Sequence, residues 1–213
     1  MRKVWIGVFL ALEVVAYALI MTCGGELLVW SSFLSIVGCF CFALLGRGDP
    51  YLVAGLGCTV IADLFLVVSS PVQRLWGMVA FLCAQSLYAL RLHKAVPRRW
   101  LGWCRGGLVV VSQVVTVAVL GGKTDPLALV SLAYYAMLIC NLIHAFAGKR
   151  WRFAVALVLF LLCDTVIGLQ VAAGGYLPIG EGSVLYQILY PGFNLAWMFY
   201  LPSQVLISLE AER

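Results

Sequence analysis

Residues 51–70, YLVAGLGCTVIADLFLVVSS, form an apolar run that contains a single charged side chain, Asp63. A helix needs about 20 such residues to cross roughly 30 Å of hydrocarbon. A membrane-spanning strand would be about half as long, and its apolar residues would alternate with polar ones, which these do not. The run therefore predicts a transmembrane helix with one acid in its interior.

The rest of the chain repeats this pattern. Of its 213 residues 64% are hydrophobic and 11% are charged, which leaves too little polar surface for a soluble domain. We predict a single integral membrane domain over residues 1–213, an all-α polytopic bundle with about eight transmembrane helices. Its last span holds Pro191 and Pro202, which predict a kink or an interfacial start. The spans are about 4–22, 27–46, 51–70, 74–92, 103–121, 126–147, 152–172 and 184–209.

The basic residues predict the orientation of these spans. If the N-terminus is cytoplasmic, twelve of the 14 Lys and Arg residues fall in cytoplasmic segments, and only Arg74 and Lys123 fall opposite. Both termini are then cytoplasmic, the number of spans is even, and we expect the cell membrane as the location. The basic residues lie at helix ends and not on one face, which argues against a nucleic-acid partner. They are Arg2, Lys3, Arg47, Arg91, Lys94, Arg98, Arg99, Arg105, Lys149, Arg150, Arg152 and Arg213.

Three acids, Glu13, Asp63 and Asp164, lie inside predicted spans, whereas no Lys or Arg lies deep in one. Such groups are costly in hydrocarbon and face the bundle interior or a wet cavity. All three spans start on the cytoplasmic side, and the acids lie about nine, twelve and twelve residues along them, depths that agree within roughly one helical turn. We therefore expect the three carboxyl groups to meet in one layer.

Without basic partners at that depth, three clustered carboxyl groups cannot all be charged. The expected state has at least one neutral acid beside a carboxylate, which is the arrangement that general acid–base hydrolysis needs. The alternative is that each aspartate hydrogen-bonds a neighbouring helix and only fixes packing. For Glu13, whose neighbours form no motif, this alternative has equal weight.

Most other polar residues inside spans are expected to hydrogen-bond between helices. His93 and His144 have no partner at metal-ligand spacing, so neither a metal site nor another cofactor is predicted. The residues that could line a substrate pocket are Glu13, Gln85, Tyr88, Asn141, Tyr200 and Gln204.

Four segments, in order, resemble the YhhN-like family of membrane proteins, the lysoplasmalogenase family. The resemblance covers most of the chain from about residue 50. Three positions depart from the usual pattern: Ala62 stands for Gly, Cys163 for Ser, and Gln85 where His is frequent. The segments are GLGCTVIADLFL at 55–66, GMVAFLCAQSLY at 77–88, LFLLCD at 159–164 and FYLPSQVLI at 199–207.

The resemblance implies hydrolysis of the vinyl ether bond of lysoplasmalogens, which yields a fatty aldehyde and a glycerophospho-headgroup. It implies catalysis by Asp63 and Asp164, a lysophospholipid substrate drawn from the surrounding membrane lipids, and no cofactor. The three departures leave the substrate open. Two other functions stay open as well: a proton-coupled membrane transporter, since intramembrane acids also relay protons, and a different lipid hydrolase of related fold.

Overall fold

The computed structural model describes residues 2–97, 99–175 and 183–211, and this part of the chain contains helices and no strand. Seven of its helices are long and apolar enough to cross a membrane. The predicted all-α polytopic membrane bundle is thus confirmed. The helices are α1 (Arg2–Thr22), α2 (Gly25–Leu45), α3 (Pro50–Asp63), α4 (Arg74–Ala95), α5 (Arg99–Leu120), α6 (Pro126–Ala147), α7 (Trp151–Gly175), α8 (Val184–Leu189) and α9 (Leu195–Ala211).

Two of these helices begin at an Asp-Pro pair. The Asp49 carboxylate accepts a hydrogen bond from the amide of Tyr51 at 2.9 Å, and Pro50 is the first residue of α3. Asp125 caps α6 in the same way, by accepting from the amide of Ala128 at 2.7 Å. A carboxylate at the cap binds amides that the helix leaves unpaired, and proline has no amide hydrogen to lose there.

The prediction of one continuous span over 184–209 is wrong, although the interruption expected from Pro191 is present. The segment consists of two helices, α8 and the 17-residue α9, and the break contains Pro191. Proline disfavours helical geometry in the residue before it and has no amide hydrogen, so the helix stops at Leu189. Pro202 is accommodated inside α9. At about 25 Å, α9 lies at the short end of spanning lengths.

An ion cluster shows which helix ends lie together. Arg91, near the end of α4, binds the carboxylates of Asp49 at 3.3 Å and Glu210 at 3.0 Å. The amide of Asp49 also donates to the carbonyl of Ala211 at 2.7 Å. The end of α2, the start of α3 and the ends of α4 and α9 therefore share one end of the bundle, which we call the basic end.

The start of α1 lies at the basic end as well. Helices α1 and α2 are neighbours joined by only Cys23 and Gly24, and Phe9 stacks on Phe42 at 4.0 Å between ring centroids. Both described ends of the chain are therefore on one side, as the charge pattern predicted, and the cytoplasmic identity of that side stays a prediction. Of the basic residues counted above, Arg98 and Arg213 lie outside the described residues.

Five helices, α3, α4, α6, α7 and α9, enclose the interior in which the aspartates lie. Helix α9 packs against α7, α2 and α3, while α4 lies between α3 and α6. Close approach of α3 and α4 depends on Gly55, because a Cβ there would lie 2.2 Å from Cε1 of the buried Tyr88. Helix α5 packs mainly against α6 and is largely exposed to the surroundings of the bundle.

Candidate active site

Asp63 is the last residue of the α-helical part of α3, and only 3% of its surface is exposed. A π-helical turn, Leu64–Val68, follows directly. Such wider turns change the direction in which a side chain points, and they recur at functional sites. The Asp63 carboxyl oxygen Oδ2 accepts a hydrogen bond from the hydroxyl of the buried Tyr200 on α9 at 2.8 Å. Asp63 therefore points into the bundle.

Asp164 on α7 is held in the same manner by a different helix. Its Oδ2 accepts a hydrogen bond from the hydroxyl of Tyr134 on α6, a side chain that is 2% exposed. Asp164 itself is half-buried, and Leu162 and Ile167 next to it on α7 are exposed. This acid is consequently closer to the outer surface of the bundle than Asp63.

A pair of phenylalanines connects the two acid–tyrosine pairs. The Phe160 ring centroid lies 5.4 Å from that of Tyr200 and 6.3 Å from that of Tyr134. The Phe81 ring centroid lies 6.2 Å and 5.6 Å from the same two tyrosines. Both tyrosines thus pack on the same two rings, and these four side chains form what we call the aromatic box.

Asp63 and Asp164 also lie at the same depth. Each is 13 residues beyond the first residue of its helix, Pro50 or Trp151, and both helices start at the basic end. At 1.5 Å per residue this is about 20 Å from that end. The two aspartates, each bonded to a tyrosine of the aromatic box, therefore converge on that box at one depth.

Glu13 does not share this layer. A Cβ on Gly38 would lie 2.8 Å from Oε1 of Glu13, so the carboxyl packs against α2. Gly38 is seven residues from the end of α2, about 10 Å from the basic end. The expectation that all three acids meet is wrong because α1 begins further out than α3 and α7. Glu13 instead lines a cavity of about 430 Å³ between α1 and α2, with mostly apolar walls.

The remaining pocket candidates divide into two groups. Gln204 lies one turn after Tyr200 on α9, and its two amide atoms are buried without a hydrogen bond to any described residue. The Tyr88 hydroxyl is likewise buried and unpaired within the described part of the chain. Gln85 and Asn141 instead bind each other between α4 and α6. None of these contacts the aspartates directly in the described structure; of the candidates, Tyr200 alone does.

Sequence reasoning missed Tyr134, Phe81 and Phe160 as site residues. The sequence does not distinguish Tyr134 from other polar residues that hydrogen-bond between helices, although its partner is Asp164. The one sequence feature that could have indicated its role is its spacing from Asn141: the two residues are seven apart and lie on the same face of α6. The phenylalanines carried no signal, because apolar residues are expected throughout a membrane bundle.

No three His, Cys, Asp or Glu side chains within residues 2–97, 99–175 and 183–211 are grouped so as to hold a metal ion. The polar groups bonded at the aromatic box are the two aspartate carboxyls and the two tyrosine hydroxyls.

A sequence model of the YhhN family matches residues 27–211, most of the chain. The chain belongs to the YhhN family. The matched range contains both aspartates, both tyrosines and the aromatic box, whereas Glu13 lies outside it. No curated protein and no solved structure matches the chain significantly. The family assignment and the geometry of the bundle interior are therefore the observations that bear on the function of this YhhN protein.

The geometry predicts which pairs in this YhhN site are energetically coupled. A double-mutant cycle of Asp63→Ala with Tyr200→Phe should give a coupling of about 1–3 kcal/mol, because one buried hydrogen bond joins the two. The crossed cycle of Asp63→Ala with Tyr134→Phe should give a smaller coupling, because no hydrogen bond joins this pair. Reversible unfolding in micelles measures both cycles. Equal coupling in the two cycles would contradict the pairing described here.

Proposed function

We propose that this YhhN protein hydrolyses the vinyl ether bond of lysoplasmalogens, releasing a fatty aldehyde and a glycerophospho-headgroup. Family membership supports a lysoplasmalogenase-type membrane protein. The observation that carries the proposal is the convergence of Asp63 and Asp164 at one depth around one aromatic box. Two carboxyl groups so placed can act on one bond from two sides.

The chemistry requires an acid and an anion together. Protonation of a vinyl ether at the carbon remote from oxygen gives an oxocarbenium ion, which water then captures. One aspartate in its neutral form supplies the proton, and the other, as a carboxylate, stabilises the cation and orients the water. Glycosidases use paired carboxyl groups on a related cation. The resulting hemiacetal breaks its bond to the glycerol oxygen to give the aldehyde.

Each aspartate retains a carboxyl oxygen for this work. The tyrosine hydroxyls bind Oδ2 of Asp63 and of Asp164, and no described residue donates a hydrogen bond to either Oδ1. The tyrosines therefore fix the direction of each carboxyl group without occupying both oxygens. The faces of the aromatic box carry negative charge density and stabilise a cation formed beside them.

The surroundings suit a lipid with one apolar tail. Because Asp164 is half-buried beside the exposed Leu162 and Ile167, a tail approaching through the hydrocarbon meets this acid first. Water would be held by Gln204, whose amide lies one turn from Tyr200 with buried atoms that bond no described group. Lipid access from the side and water in the interior meet at the two aspartates.

Substitution of either acid tests the proposal directly. Asp63→Asn and Asp164→Asn should each lower aldehyde release from a lysoplasmalogen by at least about 100-fold, because each removes one half of the acid–base pair. The matched control is Glu26→Gln, an exposed carboxyl at the start of α2, which should retain full activity. Circular dichroism checks that the helices persist in every variant.

Full activity in either asparagine variant would exclude catalysis by the pair. Proton-coupled uptake of a solute into proteoliposomes, with no lipid turnover by the wild type, would instead support the transporter alternative.

Isotope incorporation tests the carbon-protonation step. In D₂O the released aldehyde should carry one deuterium on the carbon next to its carbonyl, because that carbon receives the catalytic proton. Mass spectrometry of the reduced, trapped product measures this. The same aldehyde incubated with Asp164→Asn in D₂O controls for exchange after release. Aldehyde without deuterium would show that the bond is broken by another route.

A further inference from the structure

Arg105 is a cation inside the bundle without an anionic partner. It lies six residues after Arg99, the first residue of α5, and its guanidinium is partly buried against α6. Its Nη2 contacts Oδ1 of Asn141 at 3.1 Å and Nδ1 of His144 at 3.5 Å. No carboxylate of the described residues lies within ion-pair distance. Arg91, by contrast, binds two carboxylates.

The hydrogen bonds of Arg105 determine the orientation of the groups behind it. A guanidinium only donates, so the side chain of Asn141 turns Oδ1 towards Arg105. Its Nδ2 then donates to the backbone carbonyl of Gln85 at 2.8 Å and to Oε1 of Gln85 at 2.9 Å. The Gln85 group that remains is Nε2, a donor.

Two buried donors are left over in this network. Arg105 Nε and Gln85 Nε2 have no hydrogen-bond partner among the described residues, and Gln85 is completely buried. A donor buried without an acceptor destabilises the protein, and an unpaired buried charge does so more strongly. A group that offers several oxygen acceptors and a negative charge is suited to accept from such donors and to neutralise the charge.

A phosphate has these properties, and the location favours one that belongs to a lipid. Arg105 is near the basic end, where Lys94, Lys149, Arg150 and Arg152 add positive charge. Basic pockets between transmembrane helices on such a side bind lipid headgroups. Arginine is also the side chain best matched to phosphate, because its planar fork binds two oxygens at once.

The distance from Arg105 to the aspartates matches the length of a lysophospholipid between its phosphate and its vinyl ether. Asn141, which holds Arg105, is seven residues from Tyr134 on the inner face of α6, or about 10 Å. Five covalent bonds separate the phosphorus from the vinyl ether oxygen, a span of roughly 6 Å. The hydrogen bonds of about 2.8 Å between the phosphate and the guanidinium add most of the remaining distance. One lysolipid can therefore reach both places.

We propose that Arg105, with Gln85 beside it, binds the phosphate of the lysophospholipid whose vinyl ether lies between Asp63 and Asp164. This inference rests on the proposed function for the identity of the lipid. Arg105 is then a positioning residue: it fixes the depth at which the headgroup stops and so places the vinyl ether at the level of the carboxyl groups.

Binding of unreactive ligands tests this without turnover. The ligands are 1-O-alkylglycerophosphoethanolamine and 1-O-alkylglycerol, which differ in the phosphate headgroup and have no vinyl ether. Dissociation constants are measured in maltoside micelles for the wild type, Arg105→Gln and Arg74→Gln. Arg105→Gln should weaken the phosphorylated ligand by on the order of 10- to 100-fold and change alkylglycerol little. Arg74→Gln, which removes an exposed charge at the opposite end of the bundle, should change neither.

Equal weakening of both ligands by Arg105→Gln would show a structural role and overturn the inference, as would unchanged binding of the phosphorylated ligand. Displacement of the lipid by millimolar inorganic phosphate would show that the site takes free phosphate and would overturn the lipid assignment. The expected binding pattern without aldehyde release from a lysoplasmalogen would refute the proposed function and leave the phosphate site standing.

Discussion

The site depends on the hydrogen bonds that tie two aspartates inside the bundle to two tyrosines. A carboxyl group in a membrane interior must find a donor, and neither Asp63 nor Asp164 finds one on its own helix. The donors come from α9 and α6, so each bond also holds two helices together. Because Tyr200 and Tyr134 pack on the same phenylalanine pair, the two bonds are built into one unit. The position of each carboxyl oxygen follows from that packing.

The two arginines that enter the bundle differ in whether carboxylates neutralise their charge. Arg91 is neutralised by Asp49 and Glu210, and it joins the ends of α3, α4 and α9. Arg105 contacts the side chains of Asn141 and His144 and no carboxylate of the described residues. A cation with carboxylates on both sides serves the fold, whereas one with no carboxylate and an unpaired donor is suited to an anion from outside. In our proposals, the charge of Arg105 holds the phosphate of the lipid, and the vinyl ether meets the acid–base pair of Asp63 and Asp164.

Much of this architecture could be predicted from sequence because a membrane restricts what a chain can do. Apolar runs of spanning length predicted α1 to α7, and residue counting placed Asp63 and Asp164 at one depth. Counting failed for Glu13, since the offset of α1 depends on how Phe9 packs on Phe42. Pro191 predicted an interruption of the last span, but the sequence did not identify Tyr134 as the partner of Asp164. The offset of α1 and the Tyr134–Asp164 pair depend on contacts between residues far apart in sequence, which hydropathy does not encode.

The central claim is that both aspartates act on one bond, and a structure with a bound substrate mimic tests it most directly. Electron cryomicroscopy of the protein with 1-O-alkylglycerophosphoethanolamine would locate the ether oxygen. We predict that this oxygen lies between Asp63 and Asp164, within hydrogen-bond reach of both carboxyl groups or one water away. An ether oxygen beside only one of them, or in the cavity between α1 and α2, would contradict the account.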